Sequence, residues 1–187
     1  MQLLRIVAVT LALVTPVQVW PQSIGIYADI EATDTEICAP VGVPVNIYLT
    51  FRETDSPGIV GFELRVVGLP ESWLVIEDCG PIGCPPWDWF GAGGSWAWPT
   101  CQAGDRVVLR SMMLLATDAR ENVELQIAAR TPPTDPAFDC PLVVRCDGPT
   151  YTRQCVAGLR STVRQIDCPV GIAHGSWTAI KRLYEAE

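Results

Sequence analysis

PVNIYLTFRETDSPGIVGFELRVVGLPESWLVIE, residues 44–77, decides the fold class. From Pro44 onward Val45, Ile47, Leu49 and Phe51 alternate with Asn46, Tyr48, Thr50 and Arg52, the two-residue period of a strand buried on one face. Ser56, Pro57 and Gly58 mark a turn. Alternation resumes over residues 59–67, with Val60, Phe62, Leu64 and Val66 on one side and Glu63 and Arg65 on the other. Gly68 and Pro70 end that segment, and residues 73–77 form a short further strand.

The same reading extends to residues 106–116, 123–130, 142–146, 151–156 and 161–166, each bounded by Gly, Pro, Asp or Asn. Successive strands with little helix between them predict an all-β, mainly antiparallel sandwich over residues 23–170. Helix is expected only at the carboxyl end, in a tail of residues 171–187. There Ser176 can cap a segment in which Trp177, Ile180 and Tyr184 fall at helical spacing, with Lys181 and Arg182 in its last turn.

Composition narrows the function classes. The chain of 187 residues is 49% hydrophobic and 18% charged, so it can bury a core and form one domain. Its formal charge of −8, from 13 basic and 21 acidic residues, opposes binding to nucleic acid. Part of the hydrophobicity belongs to the start. Arg5 followed by the apolar run of residues 6–14 has the layout of an export signal. That run is shorter than the roughly 20 residues a membrane span needs, and Pro16 and Gln18 interrupt it. Residues 1–22 therefore read as a signal peptide, with a transmembrane span not expected. Its removal takes Arg5 and no acid, leaving 12 basic against 21 acidic residues.

All eight cysteines, Cys38, Cys79, Cys84, Cys101, Cys140, Cys146, Cys155 and Cys168, follow that signal. An even number in an exported chain reads as a disulfide framework. Sequence does not select among the roughly one hundred possible pairings, although Cys79–Cys84 and Cys140–Cys155 are close enough for local pairs. The spacing lacks the Cys-x-x-Cys sets of structural zinc, and the single histidine, His174, is far from most of them. No metal and no cofactor is expected.

One segment stands out as a contact site. PPWDWFGAGGSWAWPTC, residues 85–101, holds Trp87, Trp89, Trp96 and Trp98 around a Gly91-Ala92-Gly93-Gly94 turn, with Asp88 and Phe90 beside them. In extended chain each Trp-x-Trp pair projects to one side, so the segment predicts a hairpin bearing four rings. Such a surface suits stacking on a sugar or an anchor in a protein interface, or the headgroup zone of a membrane. The competing reading places the rings in the core, where large aromatics usually lie. Asp29, Glu31, Asp34 and Glu36 are acidic enough to attract calcium but do not follow the EF-hand loop, and a solvated acidic edge is the simpler reading.

Catalytic signatures are scarce. There is no Gly-x-Ser-x-Gly elbow, and the single lysine, Lys181, excludes a phosphate loop ending in Gly-Lys. A pair of convergent carboxylates, as in a glycoside hydrolase, is the remaining enzymatic alternative.

Two resemblances add to this reading. Val60-Gly61-Phe62-Glu63 and the segment around it, residues 56–77, resemble a stretch of cohesin-like β-sandwich modules, with Val67-Gly68-Leu69-Pro70 where those carry a Tyr-Asp-Pro-like turn. The resemblance implies a cohesin-like or immunoglobulin-like sandwich, and does not carry over the cohesin partner, dockerin. In overall organisation the chain also resembles a group of secreted proteins of environmental bacteria, through IGIYAD at residues 24–29, residues 132–158, and SWTAIKRLYE at residues 176–185. The last is similar to a Trp-Gly-x-Ile-Lys-x-Leu-Tyr ending, with Thr178 in place of the Gly. The expectation is a secreted, periplasmic or cell-surface module, disulfide-stapled and non-catalytic, that binds an extracellular protein or a glycan through Trp87, Asp88, Trp89, Phe90, Trp96 and Trp98.

Overall fold

The computed structural model describes residues 22–53, 58–77, 88–147, 150–166 and 168. The expected signal peptide up to Pro21, the local pair Cys79 and Cys84, Trp87 and the tail of residues 171–187 lie outside the described residues. Among the described residues there is no helix, and twelve strands form two sheets.

The first sheet is built on β3 (Pro44–Glu53), in which Ile47, Leu49 and Phe51 are fully buried. On one side β3 pairs with β1 (Gln22–Tyr27), and on the other with β7 (Arg106–Leu115). β5 (Leu74–Glu77) closes the sheet beyond β7, and the short β11 (Ala157–Gly158) closes it beyond β1. Gln22 is the last residue of the expected leader and the first of β1. It donates from Nε2 to Glu53 at 2.6 Å.

At the centre of the second sheet is β4 (Ile59–Val67). One of its edges runs beside β6 (Gly94–Gln102), while β9 (Leu142–Arg145) and β8 (Val123–Ala128) pair with successive parts of β4. Outside these lie β10 (Thr152–Cys155), β12 (Arg160–Arg164) and β2 (Glu36–Cys38). Phe62, Leu64 and Val66 meet Leu49, Phe51 and Ile24 in the core between the sheets. Each such side chain contributes on the order of 1.5–3 kcal/mol by leaving water.

The sequence pattern anticipates a mainly antiparallel sandwich, and the structure adds two parallel closures. β1 runs parallel to β11, and β2 runs parallel to β12. Three disulfides fasten the described part: Cys38–Cys168, Cys101–Cys146 and Cys140–Cys155, with Cα–Cα separations of 5.4, 6.1 and 5.6 Å. The last is the local pair expected from spacing.

A buried ion pair joins the sheets. Glu53 at the end of β3 has a fully buried side chain, and Arg145 of β9 donates to it in a short hydrogen bond. Arg145 also reaches Gln154 at 3.1 Å and Asp147 at 3.5 Å.

Candidate functional site

The tryptophan-rich segment turns back on itself as its glycines suggest, but its rings face inward. Asp88 bridges to Gly93, and the Asp88 carbonyl accepts from the Gly91 and Gly93 amides at 3.1 and 2.8 Å. Gly93 has φ +89°, a value that favours glycine. β6 begins immediately afterwards. Within the turn Trp89 is 1% exposed and stacks on Phe62, with centroids 5.5 Å apart and planes at 22°. Trp98 meets the same Phe62 ring at 5.5 Å, tilted by 42°.

Trp96 and Trp98 stand two apart on β6 and share a side, as the period of a strand requires. That side is the seam between the sheets, and both rings are half-buried against the core. From the opposite sheet Arg110 of β7 places its guanidinium 4.4 Å from the Trp96 ring centroid, a cation–π contact. Burial lowers the Arg110 pKa and raises that of neighbouring Glu77, whose charged form is supported by a hydrogen bond from Trp89 and by Arg110 itself. Phe90 packs half-buried on the core, and Asp88 is exposed. The structure thus brings Trp89, Trp96 and Trp98 together around Phe62, as one side of the core rather than a flat outer platform.

The opposite face of the same strands carries a hollow of about 270 Å³. Cross-strand register places Glu63 beside Ser95 and Leu142, and Gly61 beside Ala97 and Val144. A Cβ on Gly61 would stand 2.8 Å from the Trp96 carbonyl oxygen, so a glycine is required there and the middle of the floor stays low. Ala97, Leu142 and Val144 make the apolar part of the lining, while Ser95, Thr134, Asp135 and Arg153 supply polar groups.

The connection of residues 129–141, between β8 and β9, forms one wall. It is tied down at several points. The Thr131 amide donates to the Ala92 carbonyl at 2.8 Å, Asp135 pairs with Arg153 at 2.7 Å, and Cys140 is bonded to Cys155. Glu63 is the central fastening. Its carboxylate is buried and accepts from Ser95 Oγ at 2.6 Å and from the Thr134 amide at 2.8 Å, with Arg130 at 3.9 Å. Burial opposes the Glu63 charge, but these hydrogen bonds and Arg130 outweigh it and hold its carboxyl below the ordinary carboxylate range.

A group whose pKa is lowered by folding stabilises the fold above its unfolded pKa, and the contribution is lost as pH falls through the folded value. The wall of residues 129–141 is therefore expected to loosen first on acidification, read as faster amide exchange at Thr134. Glu63→Gln is expected to cost about 1–3 kcal/mol at neutral pH and to flatten this acid dependence. An unchanged acid profile in that variant would assign the fastening to another group.

Glu63 and its partners were not evident as a site. Only the sign was visible, a single acid in a mainly apolar strand; the wall that covers it comes from a segment 71 residues further along. The acidic group near the start is likewise engaged within the protein. Asp29 accepts from the amides of Thr33 and Asp34, which hold its pKa down against burial. Asp34 accepts from the Glu36 amide, and Glu36 pairs with Arg164 at 3.0 Å.

No family model matches the chain, and no curated protein does. Among solved structures it is similar to the seventh ScaB type I cohesin from Pseudobacteroides cellulosolvens, at 11% identity and a TM-score of 0.54, over 82% of this chain and 97% of that one. A cohesin module from a Clostridium perfringens family 33 glycoside hydrolase aligns at 12% identity and a TM-score of 0.42, over 78% and 96% of the two chains. The fold of the described residues, two packed sheets fastened by disulfides, is therefore a cohesin-like β-sandwich.

Proposed function

We propose that the protein is an exported, non-catalytic binding or assembly module that holds an extracellular protein in the hollow on the outer face of β4, β6 and β9. The observation that carries this reading is the lining. Its floor is apolar, its wall is covalently fixed, and its carboxylates are committed: Glu63 to Ser95 and Thr134, and Asp135 to Arg153 and the Ala137 amide. A fixed concave surface with an apolar floor and a polar rim is the form of an interface anchor site. Three disulfides among the described residues support an oxidising location, in keeping with an export signal at residues 1–22.

The test sets purified protein against extracellular proteins and a glycan array, with Ala97→Trp as the variant. Ala97 is an exposed position on β6, so the larger ring fills the hollow with little demand on the core. Saturable protein binding that weakens tenfold or more in Ala97→Trp, at an unchanged thermal midpoint, is the expected result. Binding confined to sugars would replace this reading with glycan recognition. Hydrolysis of a polysaccharide that stops on replacing Glu63 or Asp135 would overturn the non-catalytic assignment.

A further inference from the structure

The outer face of the first sheet is apolar at one end, away from the hollow. Register aligns Leu74 of β5, Leu115 of β7 and Pro44 of β3 in one row, and Ile76, Met113 and Asn46 in the next. The following row, Ser111, Tyr48 and Tyr27, is also uncharged. Leu74 and Ile76 are 52% and 57% exposed, and Met113, Val41 and Val43 are exposed as well. Three successive rows without a charged side chain are unusual in a chain of net charge −8, and a continuous apolar patch beside an edge strand marks a contact surface or an aggregation hazard.

The chain itself supplies a cover. Cys168 is held to Cys38, with Cα atoms 5.4 Å apart. From Cys38 the backbone reaches the patch within a few residues, because Ala39 bonds to Arg164, Gly42 bonds to Ala116 at 2.8 Å, and Val43 adjoins Pro44. The segment that continues from Cys168, residues 169–187, thus leaves from a point beside Cys38, three residues before Val41. The eight residues before Trp177 span up to about 26 Å when extended, whereas Pro44 and Leu74 lie two strand spacings apart, about 10 Å. Beyond this lead come Trp177, Ile180 and Tyr184 at helical spacing, and the basic pair Lys181 and Arg182. Glu71, exposed just before β5, lies at the margin of the patch, where it complements that basic pair.

We propose that residues 176–187 dock on the apolar rows of β5 and β7 through Trp177, Ile180 and Tyr184, so that the tail shields this face of the same molecule. This stands apart from the binding reading of the hollow.

Amide exchange in the full chain tests it, with Ile76→Lys and Ile180→Lys as variants; Ile76 is an exposed position, so its replacement leaves the core intact. The expected result is reciprocal. Amides of residues 177–184 exchange at least tenfold more slowly than in a free peptide of that sequence, and Ile76→Lys removes the protection. Ile180→Lys in turn speeds exchange at the free edge of β5. Tail amides that exchange at free-peptide rates in the unaltered chain would overturn the proposal. So would tail protection that survives Ile76→Lys, which would place the tail elsewhere. Protection of β5 that rises with protein concentration and is untouched by Ile180→Lys would assign the patch to a second copy, and concentration-independent protection untouched by Ile180→Lys would assign it to residues 78–87; both outcomes reject the tail.

Discussion

Arg145→Ala is expected to destabilise the protein by about 3–5 kcal/mol, because it leaves the Glu53 carboxylate buried without its cation. Glu53 has no exposed side-chain surface, and its other side-chain partner is the Gln22 amide at 2.6 Å. The pair joins β3 of one sheet to β9 of the other, so the loss falls on the packing of the sheets and not on one strand alone. Removing both charges is a different experiment. Glu53→Leu with Arg145→Met is expected to recover most of the stability, since a well-packed apolar pair commonly equals a buried ion pair. Urea unfolding of the two single variants and the double variant measures this cycle. A cost below about 1 kcal/mol in Arg145→Ala would mean that water reaches Glu53 when its partner is gone.

Trp89→Ala is the second change of this size, at about 3–5 kcal/mol, the range for removing a large ring from a packed core. Its ring is 1% exposed, stacks on Phe62 and hydrogen-bonds Glu77. The variant leaves both a cavity and a half-buried carboxyl without its indole partner. Trp89→Phe keeps much of the contact with Phe62 and is expected to lose less. Trp96→Ala and Trp98→Ala, at half-buried positions, are expected to fall below Trp89→Ala in cost. Denaturant midpoints rank the series, and a near-neutral Trp89→Ala would return this ring to the list of surface contacts.

Strands with one buried face were legible because the face is written into a period of two. Ile47, Leu49 and Phe51 in β3, and Phe62, Leu64 and Val66 in β4, lie where alternation puts them. What alternation did not give is which side of a strand finds a second cover. Glu63 reads as solvent-facing, yet it is buried by residues 129–141, and no local pattern announces that wall. β1 and β2 escaped for a related reason. Each pairs in parallel with a strand more than 120 residues away, and such closure depends on the finished sandwich rather than on nearby turns.

The tryptophan segment shows the same division at the scale of one site. Spacing correctly puts Trp96 and Trp98 on one side of β6, and Gly93 correctly marks the reversal. Their direction was decided elsewhere, by Phe62 on β4 and Arg110 on β7, which offer the rings an aromatic neighbour and a cation within the seam. The hollow arises on the other side of the same strands, where Gly61 and Ala97 leave the sheet without bulk.

The Cys38–Cys168 link also sets how the domain behaves under tension. A load that enters ahead of β1 and leaves beyond Cys168 travels through the sulfur bridge, and the 130-residue stretch it encloses carries none of it. Only β1, β2 and the turn between them can be drawn out, an extension of roughly 55 Å at full stretch. Nearly all of both sheets, the hollow included, keeps its shape while the molecule is pulled, so a partner held there would stay bound on a strained tether.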